Sequence, residues 1–162
     1  HLASVLKNRF SGMKGFVFCG ARNYESIPFI IEINNKTGPV IEEFQQINVN
    51  YFLSTDNGSM GFKGFVTQCV EEWMLKNAID TQKAVIYACG PEPMLAATAR
   101  LAGKYTIDCQ VSMERMMACG IGVCQSCATE HKTGVEGQSE YRLCCQDGPV
   151  FDAKTVFFNT EG

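Results

Sequence analysis

The stretch Cys119-Gly-Ile-Gly-Val-Cys-Gln-Ser-Cys127 decides how this chain is interpreted, together with the Cys144-Cys145 pair that follows it. Three cysteines spaced C-x4-C-x2-C, with a further cysteine downstream, form the ligand pattern of a plant-type 2Fe–2S centre. The two glycines of the loop favour this interpretation. A residue without Cβ lets the backbone turn sharply and bring its N–H groups close to the cluster sulfur atoms.

Two other interpretations of these cysteines remain open at this point. A structural zinc site with four cysteines usually has two matched C-x2–4-C pairs, and the second pair is missing here. Unligated core thiols are a further possibility, because free cysteine is often buried. Spacing also leaves open whether Cys144 or Cys145 is the fourth ligand, since adjacent side chains point in different directions.

Composition restricts the class of protein. The chain has 162 residues, 46% hydrophobic and 19% charged, which suits one medium domain or two small ones with a real core. A net charge of −3 gives no indication of a nucleic-acid or membrane-surface partner. The odd count of 9 cysteines does not fit a secreted disulfide framework. No apolar run reaches membrane-spanning length and no signal peptide is recognisable, so we expect a cytoplasmic protein of a bacterium or archaeon.

The first two thirds of the chain alternate between strand and helix patterns. Apolar runs at 14–19, 49–54 and 84–89 predict buried strands, and helical periodicity predicts helices from about 65 to 76 and from about 92 to 101. This order predicts a parallel sheet with right-handed crossovers. The segment 1–9 has the pattern of an amphipathic helix. With no strand before it, we expect that a βα unit precedes this chain in a longer protein.

Three loops follow the predicted strands, at 20–22, 55–59 and 89–94. Ligands of open α/β sheets bind outside the carboxyl ends of the strands, and helix N-termini there attract anions. We therefore predict a dinucleotide across this edge, with Arg22 as a contact to a ribose or phosphate. The alternative is that these glycines and prolines only form turns, because no intact G-x-G-x-x-G is present.

After Gly103 the helical pattern ends and short strand patterns take over, at 105–111, 128–133, 140–144 and 156–158. We expect a small β-rich unit that the metal centre helps to stabilise, because so small a sheet buries little apolar area. His131 lies in a polar stretch and is predicted to be solvated rather than a ligand. Met113, Met116 and Met117 are predicted to pack around the cluster.

Three motifs resemble a known family. These are Tyr87-Ala-Cys-Gly-Pro-Glu-Pro-Met-Leu95, the segment from Ser112 to Cys127, and Cys145-Gln-Asp-Gly-Pro-Val-Phe151. Together they resemble the electron-transfer subunit of dihydroorotate dehydrogenase B, an iron–sulfur flavoprotein related to ferredoxin–NADP reductases. The resemblance extends over nearly the whole chain, and the cluster segment is its most specific part.

The resemblance implies an α/β fold in which a ferredoxin-reductase-like, parallel-sheet nucleotide-binding domain is followed by a small β-rich 2Fe–2S domain. The first would be an N-terminally truncated NAD(P)-binding domain over 1–104, and the second would cover 105–162. The family's FAD-binding β-barrel has no counterpart here. FAD would therefore be bound mainly by a domain outside this chain.

The resemblance also implies an NAD(P)H-linked oxidoreductase subunit, although this chain by itself would lack full activity. Electrons would pass from NAD(P)H through FAD and the 2Fe–2S cluster to a partner catalytic flavoprotein subunit, with no nucleic-acid or membrane partner. No catalytic residue is assigned. The implied cluster ligands are Cys119, Cys124, Cys127 and Cys145, since the family's fourth cysteine directly precedes x-Asp-Gly-Pro. The implied residues of the nucleotide side are Asp56, Gly58, Ser59, Cys89, Gly90, Pro91 and Met94, which join Gly20 and Arg22 from the first loop. Cys89 would lie where nicotinamide and flavin meet, unless it is a buried structural thiol.

Two alternative functions remain. Subunits of ferredoxin:NADP and sulfide dehydrogenases share these motifs, so the terminal electron acceptor is open. A non-enzymatic iron–sulfur module that senses redox state, with a nucleotide fold that no longer binds, is the alternative from a different class.

Overall fold

The structure is a computed structural model that describes residues 4–5, 12, 14–34 and 38–158. The helix predicted over 1–9 therefore lies mostly outside the described residues. The chain divides into two compact units, His1–Lys76 and Asn77–Gly162. None of the helices in the described residues is long and apolar enough to span a membrane.

The first unit is built on parallel strands. In chain order its elements are β1 (Phe16–Ala21), β2 (Ile31–Asn34), β3 (Gly38–Ile41), α1 (Glu42–Gln46), β4 (Asn50–Thr55), β5 (Phe62–Lys63) and α2 (Val66–Lys76). β1 and β4 pair in parallel along their whole length, and the short β5 adds to the far side of β4. β2 and β3 form a separate antiparallel pair in a stretch where the sequence pattern could not separate helix from strand.

Aromatic packing joins α2 to this parallel sheet. Phe16 and Phe18 alternate along β1 and thus share one face, beside Phe52 of β4, whose ring centroid lies 4.9 Å from that of Phe18. The Trp73 ring of α2 lies on the same group, 4.3 Å from Phe16 and 5.7 Å from Phe52 between ring centroids. The period of two in the strand and the helical spacing in α2 bring these rings together.

The second unit holds one βαβ element and a β-rich part. Its elements are β6 (Val85–Cys89), α3 (Glu92–Tyr105), β7 (Asp108–Ser112), β8 (Ala128–Lys132), β9 (Ser139–Leu143) and β10 (Val150–Asp152). β6 and β7 are parallel, β10 pairs antiparallel to the other edge of β7, and β8 and β9 form a hairpin. The strand predicted at 156–158 is wrong, because only Val156 forms a bridge, to His131. β10 was not predicted.

β7 explains why the boundary between the compact units differs from the predicted domain boundary at 104/105. This strand begins the segment that leads to the cysteine loop, yet its hydrogen bonds tie it to β6 on one side and β10 on the other. The β6–α3–β7 element therefore belongs to the same compact unit as the cysteine loop. The division into domains at 1–104 and 105–162 stays a prediction.

His131 corrects the sequence analysis. Its side chain is fully buried, not solvated, and its ring lies 4.6 Å from the Phe151 ring between centroids. Nε2 hydrogen-bonds Thr129 Oγ1 at 2.9 Å, and Nδ1 hydrogen-bonds Thr155 Oγ1 at 3.1 Å. The hairpin strand β8 is thereby fastened to the segment that follows β10, which makes His131 a structural histidine.

We predict that His131→Ala lowers the free energy of unfolding by about 2 kcal/mol, because it leaves the hydroxyls of the buried Thr129 and the partly buried Thr155 without this partner and opens a cavity. Urea titration of the full-length holoprotein measures the change. Glu130→Ala, on the opposite face of β8, is the matched control and should cost less than about 0.5 kcal/mol. Equal losses in the two variants would contradict the structural role of His131.

The stability that His131 contributes should depend on pH in a direction set by its pKa. Burial, and then the charge of Arg142, lower the pKa of His131 below its ordinary value of 6.5, against the opposing carboxylates of Glu140 and Asp147. The unfolded state therefore binds the proton more readily, and the stability that neutral His131 contributes is complete above pH 6.5. It is lost as the pH falls below that value, so the difference between the parent protein and His131→Ala should shrink between pH 7.5 and 5.5.

Candidate metal centre

The β8–β9 hairpin brings the distant cysteines together. Ala128 of β8 pairs with Leu143 of β9, and one residue beyond this pair the Cys144 N–H donates to the Cys127 carbonyl oxygen at 3.1 Å. The end of the C-x4-C-x2-C loop therefore lies beside the second cysteine pair. A local pairing of two strands thus closes a separation of 17 residues in the chain.

Cys144 and Cys145 have different surroundings. Cys144 is 1% exposed and belongs to the core formed with Leu95, Val111 and Phe151. Burial raises the pKa of its thiol, against a hydrogen bond from Thr129. The Cys145 thiol hydrogen-bonds the Cys127 thiol, which raises the pKa of Cys145, and it also accepts a hydrogen bond from the Gly122 backbone. Of the two, Cys145 is therefore the one whose thiol hydrogen-bonds a thiol of the loop.

The first two cysteines of the loop form a second contact pair. The Cys124 N–H donates to Cys119 Sγ at 3.4 Å, and the Cys124 thiol lies 3.1 Å from Ser126 Oγ. Hydrogen bonds to Ser126, followed by those to Cys119, lower the pKa of Cys124 to about 6. Ligating cysteines must be thiolates, so this thiol is prepared for metal binding at neutral pH.

Ser126 and Gln146 also shape this loop, and sequence reasoning missed both. Ser126 Oγ accepts the Ala118 N–H at 3.3 Å, and it lies 3.3 Å from the Met116 carbonyl oxygen, which is an alternative acceptor of its proton to the Cys124 sulfur. Gln146 Nε2 donates to the Ile121 carbonyl at 3.2 Å, and its amide lies so close to Gly122 that any Cβ there would overlap it. Gly122 has φ +82°, in the left-handed region that glycine tolerates best. In the sequence, the indication of a role for Ser126 and Gln146 was their position directly beside the predicted ligands Cys127 and Cys145.

The donor set suits an iron–sulfur cluster. Two thiol pairs, Cys119 with Cys124 and Cys127 with Cys145, match a centre in which each iron takes two protein thiolates. Within the described residues, no group of three or more His, Cys, Asp or Glu side chains is arranged to hold a single metal ion.

The three methionines near the loop, which the sequence predicted to pack around the cluster, differ in their burial. Met113 is buried and its N–H donates to the Pro149 carbonyl at 2.9 Å, which anchors the start of the loop. Met116 is 88% exposed and Met117 is also exposed, so neither is buried against the described residues, and their packing around the cluster stays a prediction. Ile121 and Val123 are exposed as well. The loop therefore presents an apolar surface around the exposed Cys124.

In the first unit, the structure brings together the nucleotide-side residues that the sequence predicted there. The Asp56 N–H donates to the Ala21 carbonyl at 3.1 Å, and Ser59 Oγ accepts the Tyr24 N–H at 2.8 Å. These bonds join the two loops that follow β1 and β4. The predicted residues of this loop pair are Gly20, Arg22, Asp56, Gly58 and Ser59, and all but Gly20, at the end of its strand, lie in the loops themselves.

The positions of Gly20, near the end of β1, and Gly58, in the loop after β4, both require a glycine. A Cβ on Gly20 would lie 2.7 Å from Val66 Cβ, so glycine lets the first turn of α2 approach β1. Gly58 has φ +76° and would place a Cβ against the Lys63 side chain. Arg22 and Asp56 are exposed at this carboxyl edge and available to a ligand.

The remaining nucleotide-side residues lie in the second unit, in the turn between β6 and α3. Gly90 has φ +153°, and a Cβ there would contact the Met94 side chain. The Met94 N–H donates to the Pro91 carbonyl at 2.9 Å, which starts α3. Cys89 is exposed, so the alternative of a buried structural thiol is wrong, and its Sγ lies 3.9 Å from Glu114 Oε1.

Comparison with known proteins gives a consistent result. Residues 114–157 match the iron–sulfur cluster binding domain of dihydroorotate dehydrogenase B. The chain is 40% identical over 119 residues to the dihydroorotate dehydrogenase B (NAD(+)) electron transfer subunit of Caldanaerobacter subterraneus subsp. tengcongensis, covering 74% of this chain and 44% of the relative. It is 36% identical over 148 residues to the probable counterpart of Pyrococcus furiosus, covering 91% of this chain and 48% of the relative. The chain thus spans less than half the length of these curated relatives.

A solved structure shows the same fold. The NADH-dependent reduced ferredoxin–NADP oxidoreductase, described in connection with flavin-based electron bifurcation, superposes on 97% of this chain and 48% of its own, with a TM-score of 0.67 and 25% identity. The predicted ferredoxin-reductase-like α/β fold with a small β-rich part is therefore confirmed. The predicted resemblance is also confirmed: the chain is similar, over most of its length, to electron-transfer subunits of dihydroorotate dehydrogenase B, and its residues 114–157 match their iron–sulfur cluster binding domain.

Proposed function

We propose that this chain is part of an electron-transfer subunit of the dihydroorotate dehydrogenase B type, which relays electrons between NAD(P)H and a partner catalytic flavoprotein through FAD and a 2Fe–2S cluster. The observation that carries the proposal is the presence of two thiol pairs inside the segment that matches the iron–sulfur cluster binding domain. When bound, the cluster supplies a site that holds one electron at a time.

Cys119 and Cys124 are proposed as the ligands of one iron, and Cys127 and Cys145 as the ligands of the other. The contacts within each thiol pair support this division, and the hydrogen bond between the Cys145 and Cys127 thiols supports the choice of Cys145 over Cys144. The Cys124 N–H to Cys119 Sγ and the Gly122 N–H to Cys145 Sγ would stabilise added negative charge and raise the reduction potential.

NAD(P)H is proposed to bind at the carboxyl ends of the parallel strands. The support is the exposure of Arg22 and Asp56 beyond β1 and β4, and of Cys89 and Pro91 at the start of the 14-residue helix α3. Gly20, Gly58, Ser59, Gly90 and Met94 complete the proposed contact set. FAD is proposed to be held mainly by a part of the full-length protein outside this chain, and the relay is proposed to operate in the cytoplasm.

The surface around the cysteine loop supports a protein partner. Met116, Ile121 and Val123 are 68–88% exposed, beside the exposed thiol of Cys124. An apolar surface next to a redox centre lets a partner exclude water and approach the cluster closely. The likeness to a ferredoxin–NADP oxidoreductase supports a second candidate, a subunit of a ferredoxin:NADP-type enzyme with the same internal relay and a different terminal acceptor.

The ligand assignment predicts that Cys124→Ser removes most of the bound iron and bleaches the visible absorbance, because one corner of the cluster loses its thiolate. Cys144→Ser should keep iron and colour, since this thiol faces the core. Iron analysis and visible spectra of anaerobically prepared full-length protein measure both. Normal iron in Cys124→Ser, or loss of iron in a folded Cys144→Ser protein, would refute the assignment.

The relay predicts that NADH or NADPH reduces the cluster of the full-length protein when FAD is present. Anaerobic titration followed by the electron paramagnetic resonance signal of the reduced cluster measures this. Omitting FAD should slow the reaction strongly, because a nicotinamide delivers its two electrons as one hydride whereas the cluster accepts a single electron. A cluster that dithionite reduces but the nucleotides with FAD do not would reject the relay and favour a sensing module.

A further inference from the structure

The ion pair between Glu92 and Arg115 occupies a particular place in the second unit. β6 and β7 are parallel neighbours whose last residues, Cys89 and Ser112, are register partners. Glu92 and Arg115 each stand three residues beyond these strand ends. Glu92 lies at the start of α3, within the proposed nucleotide turn, and Arg115 lies on the segment that leads into the cysteine loop.

The pair is a two-point contact. Arg115 Nη1 donates to Glu92 Oε2 at 2.7 Å, and Nη2 donates to Glu92 Oε1 at 3.2 Å. The side chains are 26% and 18% exposed, whereas those of Arg142 and Glu140, which also form a close Arg–Glu pair, are 44% and 46% exposed. The bond to Glu92 raises the pKa of Arg115. A guanidinium and a carboxylate that form two parallel hydrogen bonds away from solvent fix both the distance and the relative orientation of the two side chains.

A second contact joins the same two segments. Cys89 Sγ lies 3.9 Å from Glu114 Oε1, one residue before Arg115. Beyond Arg115 there are three residues before Cys119, and Met116 and Met117 are exposed. The loop is anchored behind Arg115 by the bond from the Met113 N–H to the Pro149 carbonyl. The ion pair is therefore the shorter of two side-chain contacts that hold the approach to Cys119 against the nucleotide turn.

We propose that Arg115 and Glu92 are positioning residues that hold the cluster loop against the turn at Cys89–Met94, so that electron transfer from the nucleotide side to the cluster depends on the intact pair. The inference rests on the proposed function and goes beyond it. Neither residue is a proposed ligand of iron or nucleotide. Their contribution is the distance and orientation between the two sites.

This positioning role can be separated from an electrostatic one. Arg115→Gln removes a positive charge near the loop, and Glu92→Gln removes a negative charge from the same place. If the charges acted on the cluster potential, the two variants would change the rate of cluster reduction in opposite directions. If the pair acts by holding the segments, both variants slow reduction.

The experiment uses the full-length holoprotein with cluster and FAD. NADH is mixed with the parent protein, Arg115→Gln, Glu92→Gln and the double variant, and cluster reduction is followed by stopped-flow absorbance. We expect each single variant to slow reduction by about tenfold, since small misplacements of reacting groups are costly. The double variant should be no slower than either single one, because the partners act as one unit. Arg142→Gln, which breaks the exposed pair with Glu140, is the matched control and should keep the parent rate.

Three measurements accompany the rates: iron content, the spectrum after dithionite, and the cluster potential. All three should stay at parent values in the Gln variants. Unchanged rates, rates that change in opposite directions, multiplied losses of about a hundredfold in the double variant, or loss of iron would each overturn the positioning role. A parent protein whose cluster NADH cannot reduce would instead overturn the proposed function and the inference with it. Failure of the inference alone can therefore be told apart from failure of the proposed function.

Discussion

The pairing of Cys127 with Cys144 at the end of the β8–β9 hairpin is the constraint on which the metal centre depends. One main-chain hydrogen bond, from the Cys144 N–H to the Cys127 carbonyl, brings the two cysteine segments together. It also fixes where the turn at 144–147 begins after β9, and within this turn the two adjacent thiols lie in different environments. Cys144 fills the core, and Cys145 reaches the Cys127 thiol.

The same hairpin connects the centre to the core. β8 carries Thr129 and His131 on its buried face, and hydrogen bonds carry this contact on to Thr155. The other side of the core is the βαβ element of β6, α3 and β7, whose Leu95 and Val111 are almost completely buried. The cysteine loop itself is largely exposed, and its shape depends on polar contacts from Ser126 and Gln146. The second unit thus combines a packed base with a loop held by hydrogen bonds.

The sequence predicted the parts whose signals are local. Cysteine spacing indicated the loop, and apolar runs located β1, β4 and β6 to within about two residues. His131 was misjudged because its neighbours in sequence are polar, although the period of two places it with Thr129 on the buried side. The exposure of Met116 and Met117 did not follow from the pattern, because no regular element imposes a direction on them. The contact between Arg115 and Glu92 depends on the register of two strands 23 residues apart, which the local pattern does not specify.

The tip of the β8–β9 hairpin is a position where the length of the chain can change. Residues 134–138 are exposed and lie at the end of β8 and β9 opposite to Cys127 and Cys144. Five residue pairs separate the tip from the thiols, so insertions or deletions there leave the geometry at the sulfur atoms intact. We therefore expect changes in length to be tolerated at this tip and not between Cys119 and Cys127, which makes the tip a suitable attachment point for a spectroscopic label.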